Sequence, residues 1–257
     1  MKIGIFDSGL GGLIVAKAIR KSLPKYDYVY LGDTKRVPYG NRSHDTVLQF
    51  TRECVNYLFE KEACGIVILA CNTASARALR ELQKEFKNRK ILGVLIPAAE
   101  KAAQFNNIGI LATAGTVASG SFPREIKKLN KKAKVIQVAA PMLVPLAEAG
   151  ESKNAVPFLK KYLAPFKNKK FETLVLGCTH YPLYKKEIKK LLPRVKIISQ
   201  DEIVPVKLKN YLARHEEISK KLSTNKTAKI LVTDETQTVD VLARKWFRGV
   251  KTRLIKL

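Results

Sequence analysis

The segment LVLGCTHYP, residues 174–182, runs as a short apolar stretch into Gly177 and then delivers a thiol, a hydroxyl and an imidazole ahead of Pro182. An apolar run of this length ending in glycine reads as a buried strand, and proline suits the first turn of a following helix. The segment VILACNT, residues 67–73, reads the same way: Cys71 follows an apolar run and precedes the helical stretch ASARALRELQKEF. Both cysteines therefore have the same address, the carboxyl end of a strand, which is where open α/β sheets bind ligands.

A second pair of landmarks keeps almost the same distance. IGIFDS (3–8) resembles IGILAT (108–113), which matches Ser8 to Thr113 at an offset of 105, while Cys71 matches Cys178 at 107. Two units of like topology are implied. Strand-type runs at 2–6, 28–31, 65–70, 90–96, 108–112, 134–139, 173–177, 196–199 and 229–233 alternate with helical stretches, the pattern of βαβ units around a mainly parallel sheet. The expected fold is α/β, with two pseudo-symmetric domains and the site in the cleft between them. The segment after the second unit, NYLARHEEISKKL followed by ILVT and a final helix, has no counterpart there and is expected to fold back onto the first domain.

Composition narrows the function classes. The 257 residues are 46% hydrophobic and 27% charged, which are globular proportions. No apolar run reaches the length of a membrane span, and MKIGIFDSG begins a strand where a signal peptide would carry a basic and then an apolar region, so a cytoplasmic location is expected. The net charge of +26 would attract nucleic acid or an anionic membrane. Its lysines fall in short clusters such as KKAK (131–134), KNKK (167–170) and KKEIKK (185–190), with no zinc-finger spacing or aromatic-interleaved groove motif. They read as solvated faces, without specific nucleic-acid binding.

Four irregularly spaced cysteines do not make a disulfide framework. Cys54 lies on the apolar stripe Val47, Phe50, Cys54, Leu58 of a helix over about 44–62, and Cys64 immediately precedes a strand; both read as core. FDSGLGG (6–12) follows a strand and opens a helix, but the dinucleotide fingerprint requires glycine where Ile14 stands, and the acidic Asp33 after the next strand does not restore it. The glycines instead read as supplying positive φ and close backbone approach beside a small anion. That leaves Asp7 and Ser8 aimed into a cleft, or Asp7 as a helix N-cap.

The two thiols, each read as lying at a helix N-terminus where thiolate is favoured, admit three chemistries. Cys71, Cys178, His180 and Asp7 could be metal ligands, although C-x-H lacks the usual spacing. The cysteines could be a redox pair, without the C-x-x-C motif. They could also stand on opposite sides of one substrate, one removing a Cα proton and the other returning it from the opposite face, with Asp7 and His180 tuning the thiol on their own sides. The last option uses the repeat and requires no cofactor.

FDSGLGG, VPYG (37–40), LACNTA (69–74), LATAGTVASG (111–120) and GCTHYP (177–182), in this order, resemble the glutamate racemases of bacterial cell-wall synthesis over nearly the whole chain. The resemblance implies cofactor-independent interconversion of L- and D-glutamate for peptidoglycan. Cys71 and Cys178 would be the acid/base pair, assisted by Asp7 and His180. The substrate would be held by Asp7 with Ser8, Tyr39 with Gly40, Asn72 with Thr73, and Thr179 with His180, with Thr113 and Thr116 lining the pocket. It implies a first domain of residues 1–96 plus 206–257, a second of 97–205, and a homodimer. The chain begins at its first strand, so the regulation that some members exert through an N-terminal extension is not expected. An aspartate racemase of the same superfamily is the nearest alternative; a cationic nucleic-acid-binding protein on a racemase scaffold is a third.

Overall fold

The computed structural model describes residues 1–167, 170–247 and 249–257. Positions 168 and 169 of the KNKK cluster thus lie outside the described residues. Among the described residues ten strands form two sheets in which every pairing is parallel. Strands β1 (Lys2–Asp7), β2 (Tyr28–Gly32), β3 (Cys64–Leu69), β4 (Lys90–Gly93), β9 (Ala228–Val232) and β10 (Thr252–Leu254) lie in the order β10-β9-β2-β1-β3-β4. Strands β5 (Asn107–Ala112), β6 (Lys134–Ala139), β7 (Thr173–Gly177) and β8 (Lys196–Ile198) lie in the order β6-β5-β7-β8. The second sheet repeats the β2-β1-β3-β4 part of the first, strand for strand.

A parallel strand buried on both faces is apolar throughout, which is why these strands read as continuous hydrophobic runs. Each face of the first sheet has its own core, one built around Ile3, Ile5, Ile66 and Ile68, the other around Phe6, Leu31, Val67 and Leu69. The second sheet is covered likewise, by cores that include Leu174 and Leu176 on one side and Ile110 and Val175 on the other.

The run 90–96 is not one strand. It stops at Gly93, and a helix begins at Leu95 (Leu95–Ala102) whose buried face packs on the second sheet. Apolar periodicity cannot separate a buried strand from the buried helix that follows it. The chain returns through helix Gln200–Arg214, which buries Val204, Leu208 and Leu212 in the first sheet's core while Ile203 packs against the second's. β9 then pairs with β2, and β10, a strand not expected from sequence, takes the edge beside β9.

Candidate active site

Parallel register aligns the carboxyl ends of neighbouring strands. Ala70 N donates to Phe6 O at 2.8 Å, which sets Ser8, just past β1, beside Cys71, just past β3. In the second sheet Ala112 pairs with Gly177, setting Thr113 beside Cys178. Ser8, Cys71, Thr113 and Cys178 all line one cavity, together with Tyr39, Gly40, Asn72, Thr73, Thr179 and His180. Its remaining wall is mostly apolar, with Val37, Pro38, Pro141, Val144 and Pro145.

Of the residues singled out from sequence, Asp7 and Thr116 do not line this cavity. Asp7 is fully buried behind it: Oδ2 accepts from Gly9 N at 2.9 Å, and Thr179 Oγ1 donates to Oδ1 at 3.3 Å. It is not a helix N-cap, for helix Gly12–Ser22 has no side-chain cap. Thr116 lies behind Thr113, whose hydroxyl donates to it at 3.0 Å and also lies 2.9 Å from that of Thr73. This threonine cluster ties the two halves together. Tyr39 lines the cavity, but its hydroxyl is committed to Asp33 Oδ2 at 2.5 Å, and Asp33 also receives Arg36 and Thr233. Asp33 is therefore a structural hub.

The glycines of FDSGLGG provide proximity and no positive φ; among the described residues the glycines at positive φ are Gly120, Gly150 and Gly249. A Cβ on Gly11 would stand 2.6 Å from the His180 ring and from Thr179 Oγ1. Absence of a side chain is what lets this loop reach the second half of the molecule.

The environments of the two thiols differ. Cys71 is the N-cap of helix Asn72–Arg77; its Sγ accepts from Ala74 N at 3.4 Å and lies 3.4 Å from Ser8 Oγ. Burial, followed by the Asp7 carboxylate, nonetheless pushes this thiol up to about 12, and the two hydrogen bonds offset only part of that. The activating environment expected from its helix terminus is outweighed. Cys178 does not start an α-helix: a 3-10 turn, Tyr181–Tyr184, intervenes before helix Lys185–Leu191. Its neighbour is His180, whose Nδ1 lies 3.7 Å from Sγ.

Burial opposes a charge on His180, but contact with Cys178 and with Glu148 overrides it and raises the imidazole to about 10. Glu148 Oε1 lies 3.1 Å from Nε2, an ion-pair distance without hydrogen-bond alignment. Trp246 meets the same ring edge-on at 5.8 Å between centroids. Burial likewise raises Asp7, partly countered by His180. Glu148 was missed from sequence; its one signal there is a lone carboxylate in the apolar run PMLVPLAEAG.

All four cysteines are free and buried, and among the described residues no group of three or more His, Cys, Asp or Glu is arranged to hold a metal. Also among the described residues, no helix is long and apolar enough to cross a membrane. What the cavity offers is two sulfurs at the carboxyl ends of strands from the two sheets, one with a hydroxyl and a carboxylate behind it, the other beside an imidazole.

The profile of a family described as Asp/Glu/hydantoin racemase matches residues 13–204. The chain is 41% identical to a glutamate racemase of a Sulfurihydrogenibium species, over 100% of this chain and 98% of that one. It is 46% identical to the glutamate racemase of Aquifex pyrophilus, over 82% and 84%. Among solved structures it is similar to a glutamate racemase of Bacillus anthracis, with a TM-score of 0.91 at 33% identity, covering 100% and 97%. The aspartate racemase of Picrophilus torridus, with a TM-score of 0.59 at 21% identity over 83% of this chain and 95% of that one, shares the fold alone.

Proposed function

The chain belongs to the Asp/Glu/hydantoin racemase family and is an amino-acid racemase, and from that premise we propose that it interconverts L- and D-glutamate by passing the Cα proton between Cys71 and Cys178. The observation that carries this reading is the presence of both sulfurs in the wall of one cavity, at equivalent places on a repeated topology. A thiolate on one side takes the Cα proton: the Cα–H bond breaks, an S–H bond forms, and the electron pair spreads into the adjacent carboxylate. The thiol on the other side then gives its proton to the opposite face, its S–H bond breaks, and a thiolate remains there. Atoms and electrons balance within the substrate and two cysteines, so the chemistry calls for no cofactor.

Asp7 acts on the Cys71 side and His180 on the Cys178 side. Ser8, Gly40, Asn72, Thr73, Thr113, Thr179 and His180 hold the ammonium and carboxylate groups, Tyr39, its hydroxyl bound to Asp33, shapes the wall, and Asp7 and Thr116 act from behind through Thr179 and Thr113. The division into units 1–96 plus 206–257 and 97–205 belongs to the same reading and is supported by the pairing of β9 with β2. The homodimer, the cytoplasmic location, the supply of D-glutamate to peptidoglycan and the lack of specific nucleic-acid binding rest on the sequence alone.

The test is incubation with L-glutamate or L-aspartate in D₂O without added cofactor, following optical rotation and loss of the Cα proton signal. Both signals should change with glutamate. Turnover of aspartate without glutamate would remove the substrate assignment.

A further inference from the structure

Helix Asn72–Arg77, which follows Cys71, is fastened to both segments by which the chain crosses between its sheets. On the outgoing crossing, Leu95 N donates to Ser75 Oγ at 3.3 Å. On the returning one, Gln200 Nε2 donates to Asn72 Oδ1 at 3.0 Å. Gln200 is fully buried at the start of its helix, and Asn72, 2% exposed, lines the cavity.

A carboxamide is planar, so holding its oxygen on one side directs its two N–H bonds elsewhere. Asn72 Nδ2 is buried and has no partner among the described residues. A buried donor without an acceptor is costly, and in a cavity wall it is a natural contact for an incoming anion.

We infer that Gln200 is a positioning residue for substrate binding: by holding Asn72 Oδ1 it presents Asn72 Nδ2 to a carboxylate of the amino acid in the cavity. This rests on reading the cavity as the glutamate site. Gln200 Oε1 is also without a partner, so the reversed arrangement, with Nδ2 donating to Gln200, is the specific rival. It would offer an acceptor oxygen to the anion and repel it.

Initial rates against concentration, with L- and D-glutamate, separate these cases in the wild type, Gln200→Met, Gln200→Glu, Asn72→Ala and the double variant Asn72→Ala/Gln200→Met. Gln200→Met keeps the volume and removes the donor. It should raise KM about tenfold and leave kcat within about threefold, as expected for a hydrogen bond to a charged group held in place less well. Gln200→Glu should raise KM further, because its carboxylate would capture Nδ2 and turn the asparagine oxygen to the substrate. In the Asn72→Ala background Gln200→Met should add nothing, since Gln200 acts through Asn72.

An unchanged KM in Gln200→Met, an additional loss in the double variant, or a Gln200→Glu enzyme better than Gln200→Met would each overturn the inference. If Gln200→Met fails to fold by circular dichroism, the near-isosteric Gln200→Glu decides alone, a KM at or near the wild-type value overturning the proposal. A wild-type protein that leaves glutamate untouched defeats the reading of the site, whereas a wild type that turns it over with variants of equal KM defeats only the role of Gln200.

Discussion

Around Cys71 stand a serine hydroxyl, a backbone N–H and, behind them, the buried Asp7; around Cys178 stand the His180 ring and, beyond it, Glu148. Both sulfurs occupy the same place in the same strand order. The repeat therefore accounts for where the thiols are and not for what surrounds each. That second property comes from the segments after the strands, which diverge: a helix capped by sulfur in one half, a 3-10 turn behind an imidazole in the other. A proton transfer of the kind proposed would use the two sulfurs in alternating roles, each in its own surroundings.

The sharpest way to break this comparison is to remove one sulfur. Cys71→Ser and Cys178→Ser should each lower racemisation by roughly three powers of ten or more, because an alcohol is a far weaker acid than a thiol. Full activity in either variant, measured by optical rotation, would end the two-base account. Next come the helpers: Asp7→Asn and His180→Asn should each cost about a hundredfold in kcat. Their losses should fall unequally on the L-to-D and D-to-L directions and with opposite preference; equal losses would mean that the two sides are not chemically distinct.

Gly11→Ala tests how tightly the halves meet. Its Cβ would press on His180 and Thr179, and a loss of about 1–3 kcal/mol in unfolding free energy is expected from overpacking. A melting temperature equal to the wild type would show that the contact yields freely. The smallest effect concerns Glu148→Gln, which should move the alkaline limb of the activity profile down by roughly one to two pH units. The sign for stability follows from His180 lying at about 10 when folded, above its ordinary 6.5. Its favourable contribution is complete below pH 6.5 and lost as the pH rises through 10. The difference in melting temperature between wild type and Glu148→Gln should thus be widest near pH 6 and vanish as the pH rises past about 10.

Much of this was legible beforehand because parallel strands are apolar on both faces and end in recognisable punctuation. Gly177-Cys178 and Ala70-Cys71 mark strand ends whatever the rest of the chain does. The edge strand β10 was not legible: Thr252–Leu254 is short, and only its pairing with β9 makes it a strand. Nor was Glu148, which meets His180 from 32 positions away in sequence on an unremarkable apolar helix. The proton affinity of Cys71 failed for a different reason. A helix terminus is visible in sequence, whereas the burial that overrides it is a property of the assembled molecule.

The cavity wall is drawn from residues 8, 37–41, 71–73, 113–114, 141, 144–145 and 178–180, and the sheet beneath it is completed by strands from the last thirty positions. No contiguous fragment can hold such a chamber. Turnover is accordingly a gauge of global integrity: in a denaturant titration it should be extinguished no later than the circular dichroism signal, and a truncated chain that still shows helix and strand should be catalytically silent.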